Sequence, residues 1–170
     1  MKRRTALALA GASALAAAGT AWWTWGRRPD PAEAALAELL TQRYEAPDGT
    51  PLALSRWQGR PLLLNFWATW CPPCVREMPE LDRFAREQGE AVVQVLAVAL
   101  DRREAVRDFL ARTPVGFAVA VAGMDQLSRL SALGNPGGAL PFSLLASAEG
   151  RIRRRKLGAT QLDELRGWLS

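Results

Sequence analysis

The chain has 170 residues, 49% of them hydrophobic and 23% charged, which is enough for one compact domain and a short additional segment. It contains no histidine and only two cysteines, so a catalytic triad with histidine, a histidine-ligated metal and a four-ligand structural zinc site are excluded. The net charge of +5 belongs to the N-terminus, because five basic residues precede the first acid and the remaining 17 basic residues equal the 17 acids. Because the charges of residues 29–170 sum to zero, this part of the chain gives no electrostatic reason to expect nucleic-acid binding.

The N-terminal segment is uncharged from Thr5 to Trp25, a run of 21 residues. As a helix it would span about 30 Å, the thickness of a bilayer core. We predict that residues 1–28 form a signal anchor or a signal peptide, and the tryptophans Trp22 and Trp23 near its end favour a retained single anchor. The basic residues before it keep the N-terminus in the cytoplasm. The folded domain is therefore expected on the outer side of the inner (cytoplasmic) membrane, in the periplasm or outside the cell membrane.

The next segment begins with Asp30 as a helix N-cap and Pro31 at the first helical position. We predict a linker helix over residues 29–42 and a domain over residues 43–170. The turn signal Pro47-Asp48-Gly49 predicts that this domain starts with a β-hairpin, with strands at residues 43–46 and 51–57.

Two apolar runs, Leu62–Trp67 and residues 91–100, are short enough to be buried strands. Residues 75–88 between them have helical spacing with Pro79 inside, so a parallel strand–helix–strand unit is expected. The rest of the chain is predicted, in order, as a helix over 102–112, a strand over 115–121, a helix over 125–133, a loop over 134–138, strands over 142–146 and 151–157, and a helix over 160–169.

The two cysteines, Cys71 and Cys74, stand between a predicted strand and a predicted helix and are separated by Pro72 and Pro73. Cysteines at this spacing can close a disulfide with little rearrangement, and a helix N-terminus favours the thiolate of the first one. We predict dithiol redox chemistry in which Cys71 is the nucleophile and Cys74 resolves the mixed disulfide. Because neither proline has an N–H, the Cys71 thiolate receives fewer hydrogen bonds, which favours a reductase over an oxidant.

The sequence from Asn65 to Pro79 reads NFWATWCPPCVREMP. It resembles the active-site signature of TlpA/ResA-like extracytoplasmic thiol-disulfide oxidoreductases of the thioredoxin superfamily, and the resemblance covers roughly residues 43–170. It implies an α/β thioredoxin-like fold, in which a central mixed sheet is flanked by helices, with an N-terminal β-hairpin and a central helix–strand insertion. It also implies protein disulfide substrates, an integral-membrane electron donor, a role in cytochrome c maturation, and no bound metal or organic cofactor. We expect a monomer.

The resemblance also assigns residues near the dithiol. Asn65 occupies the place of a buried aspartate in cytoplasmic thioredoxins, so that base is absent. Glu77 matches an acid that some members use near the disulfide, and the alternative is an exposed glutamate that suits the helix dipole. Pro141 is expected to be cis, with the backbone of Leu140 pairing with substrate. Leu140 departs from the threonine that is frequent at its position.

Tryptophans and a basic run complete the candidate features. Trp67 and Trp70 are interpreted as an apolar shelf beside the cysteines, and core packing is the alternative, more so for Trp67. The expected substrate-contact residues are Trp70, Pro72, Pro73, Leu140 and Pro141. The basic run of residues 151–156 is predicted as a solvated sheet edge, the alternative being contact with anionic lipid or an acidic partner.

Two other functions stay open at this stage. The same dithiol would serve an oxidant or an isomerase, which differ from a reductase in reduction potential. Alternatively, Cys71 and Cys74 would hold Cu(I) in a metallochaperone, since two thiolates suit that ion.

Overall fold

The computed structural model describes residues 30–89 and 92–169. The predicted signal anchor, residues 1–28, lies outside the described residues. Among the helices that are described, none combines the length and the apolar character needed to cross a membrane.

The described part of the chain contains one mixed sheet of seven strands. The strands are β1 (Arg43–Glu45), β2 (Pro51–Ala53), β3 (Leu62–Trp67), β4 (Gln94–Ala99), β5 (Ala118–Val121), β6 (Phe142–Ala146) and β7 (Ile152–Leu157). Their order across the sheet is β2-β1-β5-β4-β3-β6-β7. The central strands β3, β4 and β5 run parallel, and the outer strands pair antiparallel with their neighbours.

Helices cover both faces of this sheet, which confirms the predicted α/β fold with a central mixed sheet. They are α1 (Pro31–Leu39), α2 (Pro72–Gln88), α3 (Arg103–Arg112), α4 (Leu127–Ala132) and α5 (Leu162–Gly167). Because side chains alternate along a strand, Leu62, Leu64 and Phe66 of β3 pack with α1 and α4. Leu63 and Trp67 point to the other face and pack with α2, α3 and α5. The position between them, Asn65, therefore faces the helix that carries the cysteines.

The first helix differs from its prediction as a linker. Leu36 and Leu39 are buried in the same core cluster as the leucines of β3, and Leu40, just past the helix end, joins them. The helix ends at Leu39 and not near Gln42. It packs on the domain because its leucines recur at helical spacing and cover one face of the sheet.

The hairpin strands β1 and β2 pair antiparallel, with Tyr44 opposite Leu52. The predicted second strand is too long, because Leu54–Trp57 form a short 3-10 helix that buries its first and last side chains. The helix–strand segment α3–β5 extends the sheet, since β5 pairs with β4 on one side and with β1 on the other.

Other boundaries also differ from prediction. The helix α2 begins at Pro72 and not at residue 75, since proline is well suited to the first helical turn. The strand β5 begins at Ala118 and not at residue 115. The last helix begins at Leu162 and not at Thr160, because Gln161 has an extended backbone and serves as its N-cap.

Candidate active site

The two cysteines lie at the carboxyl end of β3, where the chain turns into α2. The Cys71 N–H donates to the Ala68 carbonyl at 3.3 Å, which closes a turn, and Cys71 is the N-cap of the helix. Cys71 and Cys74 form a disulfide with Cα atoms 5.3 Å apart. The Cys71 sulfur accepts the Cys74 N–H at 3.3 Å. The two helical positions between them hold prolines, which have no N–H to offer that sulfur.

The two sulfurs differ in accessibility. Cys71 is 5% exposed, whereas Cys74 is fully buried in the core cluster on the α2 face of the sheet. Trp70, directly before Cys71, is 56% exposed and Pro72 directly after it is exposed as well. The disulfide therefore lies under an apolar surface that a partner protein can contact.

The Leu140–Pro141 peptide is cis, as predicted. The register of β6 on β3 pairs Phe142 with Phe66, so Pro141 lies beside the end of β3, at the sheet edge where the cysteine loop departs. Pro141 is buried, and its carbonyl accepts the Gly158 N–H at 2.8 Å. The structure thus places the predicted substrate-contact residues of the two loops at one edge of the sheet.

Glu77 is buried beneath this surface, with 1% of its area exposed. It follows Cys74 by three residues on α2, so their Cβ atoms are about 5–6 Å apart. One carboxyl oxygen accepts the Asn65 amide N–H at 2.7 Å, and the other accepts the Thr160 N–H at 2.8 Å and its hydroxyl at 3.2 Å. The same Asn65 amide nitrogen donates to the Ser143 hydroxyl at 2.9 Å. The alternative of an exposed glutamate is therefore wrong.

Burial raises the pKa of the Glu77 carboxyl above its ordinary value. Hydrogen bonds from Thr160 and Asn65 and the positive charge of Lys156 act in the opposite direction, but loss of solvation is the largest effect. A carboxyl group whose pKa is raised toward neutral pH is suited to accept and return a proton.

The Asn65 amide can serve both protonation states of Glu77. As placed, its N–H donates to the carboxylate, and its carbonyl oxygen is buried without a hydrogen-bond partner among the described residues. With the amide turned over, the carbonyl oxygen would accept hydrogen bonds from a neutral Glu77 carboxyl group and from the Ser143 hydroxyl. The asparagine thus supports a change of charge on its neighbour without a change of packing.

A groove of about 750 Å³ opens between α2 and α5 and is lined by Glu77 and Thr160 together with charged side chains of both helices. The charged lining includes Arg76, Glu80 and Arg166. Glu77, although only 1% exposed, is thus one of the residues that border this groove.

Two remaining sequence predictions concern the tryptophans and the basic run. Trp67 is fully buried and packs on Phe109 with ring centroids 5.1 Å apart, so the predicted shelf consists of Trp70 without Trp67. The basic run lies on β7, at one end of the sheet, where Arg153 and Arg154 are exposed as predicted for a solvated edge.

Sequence reasoning missed Ser143 and Thr160. Ser143 is brought to the site by its pairing opposite Asn65, and Thr160 by the loop before α5. A polar residue inside the apolar run 142–146 was the available signal for Ser143, since a buried polar side chain needs a partner.

A Cys-X-X-Cys disulfide at the start of a helix, beside a cis-proline on the neighbouring antiparallel strand, defines the class of thioredoxin-fold thiol-disulfide oxidoreductases. Residues 33–167 match the Redoxin family, and the chain belongs to it. It is a TlpA/ResA-like protein disulfide oxidoreductase of the thioredoxin superfamily.

Individual relatives agree with this assignment. The chain is 34% identical to the thiol-disulfide oxidoreductase ResA of Oceanobacillus iheyensis over 132 residues, which cover 77% of this chain and 67% of that protein. A secreted disulfide oxidoreductase of Mycobacterium tuberculosis superimposes with a TM-score of 0.65 at 25% identity, covering 78% of this chain and 96% of the other. A thioredoxin-related protein of Neisseria meningitidis gives a TM-score of 0.67 at 27% identity, with 75% and 96% covered.

Proposed function

We propose that the protein is a membrane-anchored, extracytoplasmic reductase of protein disulfides that works by dithiol exchange through Cys71 and Cys74. The observation that carries the direction of electron flow is the pair of prolines at the start of α2, which leaves the Cys71 sulfur with the Cys74 N–H and without donors from the two positions between them. A poorly stabilised thiolate favours the oxidised form of the enzyme, so the dithiol gives up its electrons readily.

The exchange takes two steps. The Cys71 thiolate attacks a substrate disulfide, forms a mixed disulfide and releases one substrate thiolate. The Cys74 thiol then loses its proton, attacks the Cys71 sulfur and releases the second substrate thiolate. Two electrons pass from the enzyme dithiol to the substrate, and the enzyme is left with the disulfide seen in the structure.

Glu77 is proposed as the base for the second step. Its position three residues after Cys74 and its raised pKa support a role in taking the Cys74 proton, and the groove that Glu77 borders supports the transfer of that proton to solvent. Asn65 and Thr160 hold the carboxyl group in place.

Substrate contact is proposed for Trp70, Pro72, Pro73, Leu140 and Pro141. The exposed ring of Trp70 supports an apolar contact next to the attacked sulfur, because large exposed aromatic side chains are favoured at protein interfaces. The backbone of Leu140 would pair with the extended substrate chain. Exchange between a dithiol and a disulfide needs no bound metal or organic cofactor.

Re-reduction is proposed to come from an integral-membrane electron donor. The resemblance to TlpA/ResA-like proteins supports this donor and supports cysteines of apocytochrome c among the substrates. We propose that the enzyme works as a monomer.

The direction of electron flow is tested by the reduction potential of the Cys71–Cys74 pair. When the full chain is equilibrated with glutathione buffers at about pH 7, its reduction potential should be about −230 mV or lower. A reduction potential of about −120 mV would make the enzyme an oxidant instead.

The variant Pro73→Ala tests the physical cause, because it adds an N–H at the second helical position, where it points to the N-cap side chain. At about pH 9.5, where free cysteine is mostly thiolate, we expect the reduction potential of the Cys71–Cys74 pair to rise by about 30 mV, the equivalent of one hydrogen bond. Pro72→Ala is the matched control, since an N–H at the first helical position does not reach that side chain. Equal shifts in both variants would contradict the explanation.

The anchor proposal rests on the uncharged run Thr5–Trp25 and predicts that the protein stays in the membrane fraction after alkaline carbonate extraction, at the mass of the uncleaved chain. Leu9→Arg together with Leu15→Arg should release it or block its export, since two charges make the segment too polar to stay in lipid. A soluble wild-type protein that lacks this segment would show a cleaved signal peptide instead.

A further inference from the structure

The carboxylate of Asp101 connects two loops at the carboxyl edge of the sheet. The strands β3 and β4 are parallel neighbours with Trp67 paired to Ala99, so their following loops leave the sheet side by side. The Leu100 N–H donates to the Trp67 carbonyl at 2.8 Å and extends this pairing by one residue. Asp101 is the next residue, and the loop beside it is the one that leads to Cys71.

Both carboxylate oxygens of Asp101 are engaged, and the side chain is 7% exposed. One oxygen accepts the Thr69 N–H at 2.9 Å and the Thr69 hydroxyl at 2.6 Å. The other accepts the Arg102 N–H at 2.7 Å, just before α3 begins. Hydrogen bonds to an ionised acceptor are stronger than those between neutral groups, so the carboxylate is a firm attachment for the Thr69 backbone.

Thr69 lies inside the turn from Ala68 to Cys71 that the Cys71 N–H closes. It stands directly before the exposed Trp70, whose ring has no core packing to hold the backbone beneath it. Two of the hydrogen bonds that tie this turn to the rest of the domain therefore end on Asp101. Because a mobile surface must be ordered when a partner binds to it, a turn that moves would bind a bulky substrate less tightly.

We propose that Asp101 is a positioning residue for thiol-disulfide exchange: through Thr69 it fixes the turn that presents Trp70 and Cys71 to a protein substrate. The role rests on the exchange activity of the site and is independent of the direction of electron flow. Asp101 touches neither the substrate nor the sulfurs, so its loss weakens binding of a protein substrate more than it changes the chemistry of the dithiol.

The experiment compares Asp101→Asn and Thr69→Val in the full chain with two disulfide substrates, insulin and oxidised glutathione, using dithiothreitol as the electron source. We expect the KM for insulin to rise by about tenfold in both variants, with kcat near the wild-type value, the order expected when a charge-assisted hydrogen bond no longer holds a loop. The rate with glutathione should change little, since so small a disulfide does not need the Trp70 surface. Thr69→Ser keeps the hydroxyl and should restore the wild-type KM.

The matched control is Asp82→Asn. Asp82 is also buried, at 5% exposure, and also holds a loop, since it accepts the Gly116 N–H at 2.7 Å and pairs with Arg86. It lies on α2 about 16 Å along the helix axis from Cys71. This variant should lower the melting temperature much as Asp101→Asn does, while its KM for insulin stays at the wild-type value.

Two outcomes would overturn the proposal: a normal KM for insulin in Asp101→Asn and Thr69→Val, or an equal rise of KM in Asp82→Asn. Failure of the exchange activity would appear as an inactive wild-type protein. If the wild type catalyses oxidation better than reduction, the same variants are compared with reduced ribonuclease as substrate, and the expected split between KM and kcat is unchanged.

Discussion

Replacing Cys71 with serine should reduce turnover of a protein disulfide to the uncatalysed background, because a hydroxyl oxygen cannot form the mixed disulfide that begins the exchange. Replacing Cys74 with serine should give a different result. The Cys71 sulfur still attacks, but nothing on the enzyme resolves the product, so a covalent enzyme–substrate complex accumulates. The buried position of Cys74 supports this division of labour, since an incoming substrate reaches the more exposed Cys71 first.

The measurement is a non-reducing gel of cells that express Cys74→Ser, followed by mass spectrometry of the trapped partner. The double variant with both cysteines replaced is the control and should trap nothing. The identity of the trapped protein also tests the proposed substrate, because apocytochrome c peptides should be recovered through their cysteines. Normal turnover in Cys74→Ser, or trapping through Cys74 in Cys71→Ser, would refute the assigned roles.

Replacing Glu77 with glutamine should slow the second step of the exchange by about a hundredfold, the usual contribution of a positioned general base. Glutamine has nearly the same shape, and the Asn65 amide can turn over so that its unpaired carbonyl oxygen accepts the new N–H. The substitution therefore removes the proton acceptor while it preserves the packing. Single-turnover decay of the mixed disulfide, followed by rapid quenching, measures the affected step directly.

The pH dependence distinguishes a base from a structural residue. Because burial raises the pKa of Glu77, the wild-type rate should stay level above that pKa and fall below it, whereas Glu77→Gln, in which the Cys74 proton must leave to solvent without a base, should lose rate steadily as the pH is lowered. Glu80→Gln is the matched control on the same helix, and it should retain the wild-type profile. A Glu77→Gln enzyme with the same profile as the wild type would assign the titration to another group.

Stability provides the second control for Glu77→Gln. A carboxyl group with a raised pKa binds its proton more tightly in the folded state, so its contribution to stability is complete below the unfolded pKa and is lost as the pH rises through the folded pKa. Glutamine stays neutral throughout. We therefore expect the variant to melt no lower than the wild type at neutral pH, so that lost activity cannot be attributed to unfolding.

The local sequence was sufficient for the chemistry and for most of the fold. Cys71-Pro72-Pro73-Cys74 predicted a dithiol at a helix start, because cysteine spacing and the lack of proline N–H groups are properties of neighbouring residues. The apolar run Leu62–Trp67, broken only by Asn65, predicted a buried strand with the observed bounds. Such features depend on neighbouring residues, so they can be predicted without knowing which segments pack against them.

Other features of the fold depend on a distant partner. Thr160 was predicted to begin the last helix, but its N–H binds Glu77, 83 positions earlier in the chain. The packing of α1 on the sheet could not be predicted for a related reason, since helical spacing shows that Leu36 and Leu39 share a face but not which surface will cover that face.

The sequence by itself determined the reactive pair, the order of strands and helices, and two alternatives for Glu77, an acid near the disulfide or an exposed glutamate. Only the tertiary structure decided between those two, because the burial of Glu77 depends on Asn65 of β3 and on Thr160 before α5. It also brought Ser143 opposite Asn65 and Asp101 beside Thr69. Sheet register and the meeting of two parallel strand ends are set by packing between distant segments, which no local pattern of residues records.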